Sequence, residues 1–131
     1  MSAQRIVIRI GSALLLLAGL ACALAPGFFA AAAGISASAA GLTELRAVYA
    51  GPQLALAGFL LWCDRDPARY AAGLVALLLF CAAVAIIRGA GLLVDAEFAT
   101  YQLQSLAVEV LAAFAVGWVL LRGRPRASQT A

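Results

Sequence analysis

The sequence has no histidine and little charge, and both absences exclude whole classes of protein. Without histidine, and with three cysteines that show no CxxC spacing, a zinc or haem site has almost no ligands to use. Only 11% of the residues are charged and 66% are hydrophobic, which is far from the balance of a soluble domain. We interpret Cys22, Cys63 and Cys81 as buried apolar residues. The composition therefore predicts a membrane protein without a cofactor.

Four apolar stretches are long enough to cross a bilayer as helices. A membrane helix satisfies its backbone hydrogen bonds internally, and about 20 residues cross roughly 30 Å of hydrocarbon. The predicted spans cover residues 6–25, 44–63, 68–88 and 101–121. Pro26 should end the first span, and Thr43 should cap the second. We predict an all-α, four-helix transmembrane bundle with up-down-up-down topology, which forms a single domain over residues 1–131.

The connections between the predicted spans differ in length and composition. Residues 27–43 are too long for a tight turn and too rich in alanine for a flexible linker. We expect an extension of the first helix there, or a short helix in the membrane interface beside Phe28 and Phe29. The other two connections, CDRDPA and GAGLLVDAEFAT, are short, so the helices that they join should pack antiparallel.

Arginine is concentrated on one side of the predicted bundle. That side carries Arg5, Arg9, Arg65, Arg69, Arg122, Arg124 and Arg126. The opposite side carries Arg46 and Arg88 against Glu44, Asp95 and Glu97. The positive-inside rule then places both termini in the cytoplasm. Because the basic residues are spread over three regions without interleaved stacking aromatics, we expect no nucleic-acid partner.

A signal peptide is an alternative interpretation of the N-terminal region. Arg5 and Arg9 precede an apolar run that ends in the A-x-A pattern of residues 23–25. Pro26, directly after that pattern, makes a poor cleavage site. Removal of the first helix would also leave only three spans, so we favour a retained first helix.

Two of the predicted spans carry a stripe of polar residues where polarity is costly. Each stripe has the offsets i, i+3 and i+7, which confine it to an arc of about 60° on its helix. The stripes are Arg46, Tyr49 and Gln53 in the second span, and Gln102, Ser105 and Glu109 in the fourth. Pro52 removes a backbone hydrogen bond beside the first stripe, so we expect a kink there.

We predict that the two stripes meet Arg88 in a polar pocket near the outer leaflet. A charge at mid-bilayer costs about 2.5 to 3.5 kcal/mol, so each one requires a partner or a function. Helical side chains lean toward the N-terminus of their own helix, which brings Arg88 and Glu109 together as the central ion pair. Arg46 should lean outward toward Asp95 and Glu97, or bend into the same pocket.

A purely structural interpretation of these polar residues stands beside the pocket. Arg46 and Arg88 lie near helix ends and could reach the headgroups, and Tyr49 could belong to an interfacial aromatic belt. The glutamines could be hydrogen-bonding contacts between helices. Glu109 is the exception, because it lies too far inside its span to reach water easily.

At these residues the sequence resembles a family of small bacterial four-helix membrane proteins, the domain of unknown function four-three-four-five. The family pattern is E-L-R-A-x-Y-G-G, a polar residue, an arginine that closes the third helix and a glutamate within the fourth. Here those features fall on Glu44-Leu45-Arg46-Ala47, Tyr49, Gly51, Gln53, Arg88 and Glu109. Ala50 and Pro52 depart from the pattern. The resemblance spans nearly the whole chain and implies a protein of the bacterial inner membrane, without implying an activity.

Three classes of function compete. The leading expectation is a non-enzymatic membrane protein whose pocket binds a lipid, a quinone, another small amphipathic ligand or a partner membrane protein. The alternative is a proton-coupled transporter that acts as a homo-oligomer, with Glu109 titrating. Small multidrug exporters are similar in size, but their glutamate lies in the first helix, which here has no acid after Arg9. We expect no enzyme: Glu109 and Tyr49 could exchange protons, but no nucleophile, metal set or phosphate loop accompanies them.

Overall fold

Helices account for most of the chain in a computed structural model that describes residues 2–96 and 98–123. They are α1 (Ala3–Leu24), α2 (Pro26–Ala32), α3 (Ala39–Leu45), a π-helical segment (Arg46–Ala50), α4 (Gly51–Asp64), a 3-10 turn (Pro67–Arg69), α5 (Tyr70–Asp95) and α6 (Thr100–Arg122). The predicted all-α fold is confirmed. Three residues named above, Glu97, Arg124 and Arg126, lie outside the described residues.

Three of the described helices are long and apolar enough to cross a membrane. They cover Ala3–Leu24, Pro67–Asp95 and Thr100–Arg122. These correspond to the first, third and fourth predicted spans. The second predicted span, residues 44–63, is not among them, because α-helix is interrupted there and α4 alone has 14 residues.

The first helix begins earlier than its hydropathy predicts. Ser2 is its N-cap, and its hydroxyl accepts the Arg5 backbone N–H at 3.3 Å. The helix ends at Leu24, next to Pro26, as predicted. Residues 26–32 then form the short helix α2, so the connection holds a short helix and is not an extension of α1. Ala25, with φ −129° and ψ 58°, breaks the path between α1 and α2.

A continuous helical rod, which we call the α3–α4 rod, runs over residues 39–64. Leu45, Arg46 and Ala50 all have right-handed helical backbone angles, so the chain does not bend away at the junctions. The predicted cap Thr43 is wrong: Ser38 caps the rod by accepting the Gly41 N–H at 3.2 Å. The serine hydroxyl precedes a run of good helix formers, so the helix starts about one turn earlier.

The π-helical segment lies immediately before Pro52. Its characteristic hydrogen bond runs from the Gly51 N–H to the Arg46 carbonyl, five residues back. Proline has no N–H to donate, and its ring crowds the carbonyl four residues before it, which is that of Val48. A wider turn relieves this crowding, so the irregularity expected at Pro52 takes the form of a π segment one turn earlier.

Helix α5 is longer than predicted and shortens the connection that follows it. It continues through Asp95, although the sequence predicts an end at Arg88. Taken alone, Gly89 and Gly91 favour a loop. The residues around them are apolar, and the helix continues through both glycines. Ala96 ends the helix in the left-handed region, with φ 53°.

The helices pack as two antiparallel pairs, α1 with α4 and α5 with α6. At one end of the bundle, Gln4 packs against Gly123, so the start of α1 and the end of α6 lie together. We call this the termini end. The buried core is centred there and contains Ile8, Leu60, Tyr70, Leu74, Leu77 and Val116. The outer faces carry exposed apolar side chains, including Leu17, Leu79, Ile86, Val108, Leu111 and Phe114.

Candidate functional site

Arg88 and Glu109 form an ion pair between α5 and α6. Arg88 Nε donates to both carboxylate oxygens of Glu109, at 3.1 and 3.0 Å, and Nη2 donates to Oε1 at 2.7 Å. The two side chains are only 26% and 18% exposed, so they are largely shielded. The predicted contact is therefore present. It forms because the two helices are antiparallel and each side chain leans toward the N-terminus of its helix.

Gln102 extends this ion pair into a three-residue cluster. Its side-chain Oε1 accepts a hydrogen bond from Arg88 Nη1. Gln102 lies two turns before Glu109 on α6, so both groups face the same guanidinium. A guanidinium has five N–H donors in a rigid fork, and the two partners accept one N–H from each of its three nitrogens, which leaves two N–H groups. The cluster can still donate hydrogen bonds to a third molecule.

A cavity of about 700 Å³ lies beside this cluster, at the end of the bundle away from the termini. Its wall combines Tyr49 from the π segment, residues of α5 and the start of α6. The lining residues are Ala33, Gly34, Tyr49, Ala83, Val84, Ile87, Arg88, Gly91, Leu92, Asp95, Ala99 and Gln102. We call it the outer cavity. Apolar and polar groups share the wall, as in sites for small organic ligands.

The structure brings together some of the predicted pocket residues and separates others. Tyr49, Arg88 and Gln102 line the outer cavity, and Glu109 contacts it through Arg88. The remaining predicted residues, which do not line the cavity, are Arg46, Gln53 and Ser105. The second predicted span, residues 44–63, therefore contributes only Tyr49 to the cavity lining, not its whole polar stripe.

Arg46 has a different partner from those predicted. Its Nε donates to the Ala23 carbonyl at 3.0 Å. The carbonyls in the last turn of a helix lack intrahelical partners, and α1 ends one residue after Ala23. The guanidinium therefore satisfies the end of α1. The predicted approach of Arg46 to Asp95 is wrong, and its predicted approach to Glu97 lies outside the described residues.

Gln53 and Ser105 are half-buried. Gln53 Oε1 is buried and has no hydrogen-bond partner among the described residues. The offset i+7 predicts a common face for Arg46 and Gln53 in a regular α-helix. The π segment between them changes the rotation per residue, so the stripe is not preserved.

Sequence reasoning missed Asp95 as a lining residue of the cavity. It lies seven residues after Arg88, so both side chains project from one face of α5, about 10 Å apart along the axis. That spacing was a usable signal. The spacing of Arg88 and Asp95 is not recognised as helical because the glycines after Arg88 suggest that the helix ends there.

A second charged cluster joins α1 to α4 at the termini end. Asp64 accepts Arg5 Nε at 3.0 Å and forms an ion pair with Arg9 at 3.0 Å. Arg5 and Arg9 are one turn apart and reach the same carboxylate. The hydrogen bond from Arg9, and then those of Arg5, lower the pKa of Asp64 against the opposing effect of desolvation.

The fold and the site define a small helical membrane protein with a shielded ion pair beside an open cavity. A family model described as a domain of unknown function (DUF4345) matches residues 3–120. The chain therefore belongs to this family, which confirms the resemblance noted in its sequence. Comparisons with curated proteins and with solved structures give no match.

Proposed function

We propose that the protein is a four-span, non-enzymatic protein of the bacterial inner membrane whose outer cavity binds a small amphipathic molecule. The observation that carries this proposal is the shielded cluster of Arg88, Glu109 and Gln102, in which Arg88 and Gln102 line the outer cavity. A charged pair inside apolar helices is costly to maintain, and it commonly marks a ligand pathway.

The α3–α4 rod supplies the fourth span in this proposal. At 1.5 Å per residue, residues 39–64 extend roughly 39 Å, which exceeds the hydrocarbon thickness of about 30 Å. The hydrogen bonding of the π segment keeps the rod continuous, so no backbone is exposed to lipid by a break. The rod also runs antiparallel to α1, as a span following α1 should.

The positive-inside rule supports a cytoplasmic termini end. Arg5 and Arg9 lie there beside Asp64. At the same end of the bundle, Arg69 stacks over Trp62 at 4.0 Å and Arg122 stacks over Trp118 at 4.2 Å. Tryptophan and arginine are common anchors at the membrane–water boundary. The outer cavity then lies at the outer leaflet.

The mixed lining of the outer cavity supports an amphipathic ligand. Val84, Ile87 and Leu92 offer an apolar wall, while Arg88 and Gln102 offer hydrogen bonds at its polar side. A lipid or a quinone has both kinds of surface. A partner helix is the less favoured occupant, because the cavity is bounded by residues from four separate segments of the chain.

Native mass spectrometry of the purified protein tests this proposal with a matched pair of variants. Gly91 lines the cavity, Gly89 does not, and a Cβ at either position meets no atom within 4 Å. We expect a small amphipathic molecule to co-purify with the wild type and with Gly89→Phe, but not with Gly91→Phe, whose ring fills the cavity. Equal ligand occupancy in all three proteins would overturn the proposal.

Proton-coupled transport by a homo-oligomer remains the second candidate. The observation in its favour is that Glu109 contacts the guanidinium of Arg88 between two apolar helices. Transport would require Glu109 to release Arg88 and change its charge during each cycle. Unaltered transport by Glu109→Gln in reconstituted vesicles would exclude it, and proton-driven uptake that this variant loses would support it.

A further inference from the structure

The charges in the wall of the outer cavity do not balance. Arg88 and Asp95 are its charged lining residues. Arg88 is neutralised by Glu109 through three hydrogen bonds. Asp95 forms no ion pair with any residue that the structure describes: Arg88 pairs with Glu109, and Arg46 donates to the Ala23 carbonyl. The lining and the groups bound to it therefore carry one uncompensated negative charge.

The position of Asp95 adds to that negative potential. Asp95 is the last residue of α5, where the carbonyls of the final turn lack intrahelical partners. The C-terminus of a helix carries a partial negative charge, so a carboxylate there is unfavourably placed. The last turn of α5 has no basic residue to offset it. A cation bound at this point would relieve both effects.

Tyr49 offers a second feature suited to a cation. It lines the outer cavity together with Asp95, and 53% of its surface is exposed. The face of an aromatic ring attracts an ammonium group. The apolar side chains of Val84, Ile87 and Leu92 line the same cavity as Asp95, and Ile87 is 72% exposed.

We infer that the outer cavity takes an amphipathic ammonium, with its cationic group at Asp95 and Tyr49 and its apolar body along Val84 and Ile87. This inference rests on the proposed function and specifies the class of the ligand. Two sources share this chemistry: the ethanolamine headgroup of a membrane phospholipid and a free long-chain amine. An anionic amphiphile would meet the uncompensated carboxylate and bind less well.

Native mass spectrometry from a non-ionic detergent tests the inference with three probes of equal chain length. Dodecylamine is cationic at pH 7, dodecanol is neutral and laurate is anionic. We expect dodecylamine to bind more tightly than the other two. Asp95→Asn should weaken it about fivefold, as expected for a partly exposed ion pair. Glu44→Gln, which removes an acid that does not line the outer cavity, should leave the binding unchanged.

The outcomes separate this inference from the proposed function. In one outcome, laurate or dodecanol binds as tightly as dodecylamine and loses this binding in Gly91→Phe. That result would overturn the inference of an ammonium ligand, while the amphipathic site would stand. Unchanged dodecylamine binding in Asp95→Asn would do the same. No binding of any probe and no co-purifying molecule would overturn both. Phosphatidylethanolamine that co-purifies in an Asp95-dependent manner identifies the headgroup as the source, and dodecylamine binding without it identifies a free amine.

Discussion

At the scale of single residues, the geometry of Arg88 explains how a charge persists inside apolar helices. One guanidinium contacts both oxygens of Glu109 and the side-chain oxygen of Gln102. Each contact replaces hydration that lipid cannot provide. Bidentate arginine–carboxylate pairs are also stronger than single neutral hydrogen bonds. The pair therefore holds α5 against α6, and its arginine lines the outer cavity.

Breaking this pair should destabilise the protein. Glu109→Gln leaves Arg88 without a counter-ion, and we expect a loss of about 2 to 3 kcal/mol in the free energy of unfolding. The single swaps Arg88→Glu and Glu109→Arg should also destabilise the protein, because each places two like charges together. The double swap restores an opposite pair, so it should recover most of that loss. Denaturant titration in detergent measures both changes, and Glu44→Gln, at an exposed position, is the control. Single swaps that are as stable as the double swap would show that the two residues are not coupled.

Asp64 should give the stability a defined dependence on pH. Its pKa is lowered in the folded protein, chiefly by the hydrogen bond from Arg9, so its ionised form stabilises the fold. That contribution is complete above the unfolded pKa of about 4 and is lost as the pH falls through the lower folded value. We expect Asp64→Asn to have a lower unfolding midpoint than the wild type at pH 7.

The same pair of proteins provides the control for that prediction. The difference between the wild type and Asp64→Asn should shrink as the pH falls below about 4, because the wild-type carboxylate is then protonated as well. Thermal unfolding in detergent over a pH series measures it. A difference that does not change with pH would mean that Asp64 acts through packing instead of charge.

At the scale of helices, the sequence predicts some elements much better than others. Hydropathy predicts α1 and α6 closely, since long apolar runs have few other structures in lipid. It does not predict the π segment, because hydrogen bonds to the fifth residue leave no mark on composition. The end of α5 is also missed, because the glycines after Arg88 are compatible with both a loop and a packed membrane helix.

The same reasoning explains which parts of the site were predictable. The contact between Arg88 and Glu109 follows from the lean of helical side chains, which depends only on helix direction. The separation of Arg46 and Gln53 from the site follows from the π segment and from the free carbonyls of α1, which are properties of the assembled structure. The periodicity of the sequence alone could not reveal the π segment or the free carbonyls of α1 that bind Arg46.

Close approach of α1 and α4 depends on Gly19. A Cβ there would lie 2.9 Å from Leu54 Cγ and 3.4 Å from the Ala50 carbonyl oxygen. We expect Gly19→Ala to cost about 1 kcal/mol, because overpacking outweighs the gain in helix propensity. Gly58→Ala, where nothing lies within 4 Å, should be neutral or stabilising. Denaturant titration compares the two, and equal effects would mean that α1 moves freely.

At the scale of the whole molecule, the proposed function gives the two ends of the bundle different roles. The termini end holds the buried core and the cluster of Asp64 with Arg5 and Arg9. The opposite end contains the outer cavity, which Tyr49 and residues of α5 line. Packing and ion pairing at one end can stabilise the fold, which leaves the other end able to admit a ligand without loss of the core.

This division of roles requires the outer cavity and the termini end to lie on opposite faces of the membrane, with the α3–α4 rod between them. Ser36 and Ala68 are exposed and flank that rod on either side. In a background without Cys22, Cys63 and Cys81, we expect Ser36→Cys to react with an impermeant maleimide in intact spheroplasts. Ala68→Cys should react only after the membrane is opened, if the arginine-rich end faces the cytoplasm as the positive-inside rule predicts. Reaction of both cysteines in intact spheroplasts would mean that residues 39–64 do not span, and the reverse pattern would place the outer cavity in the cytoplasm.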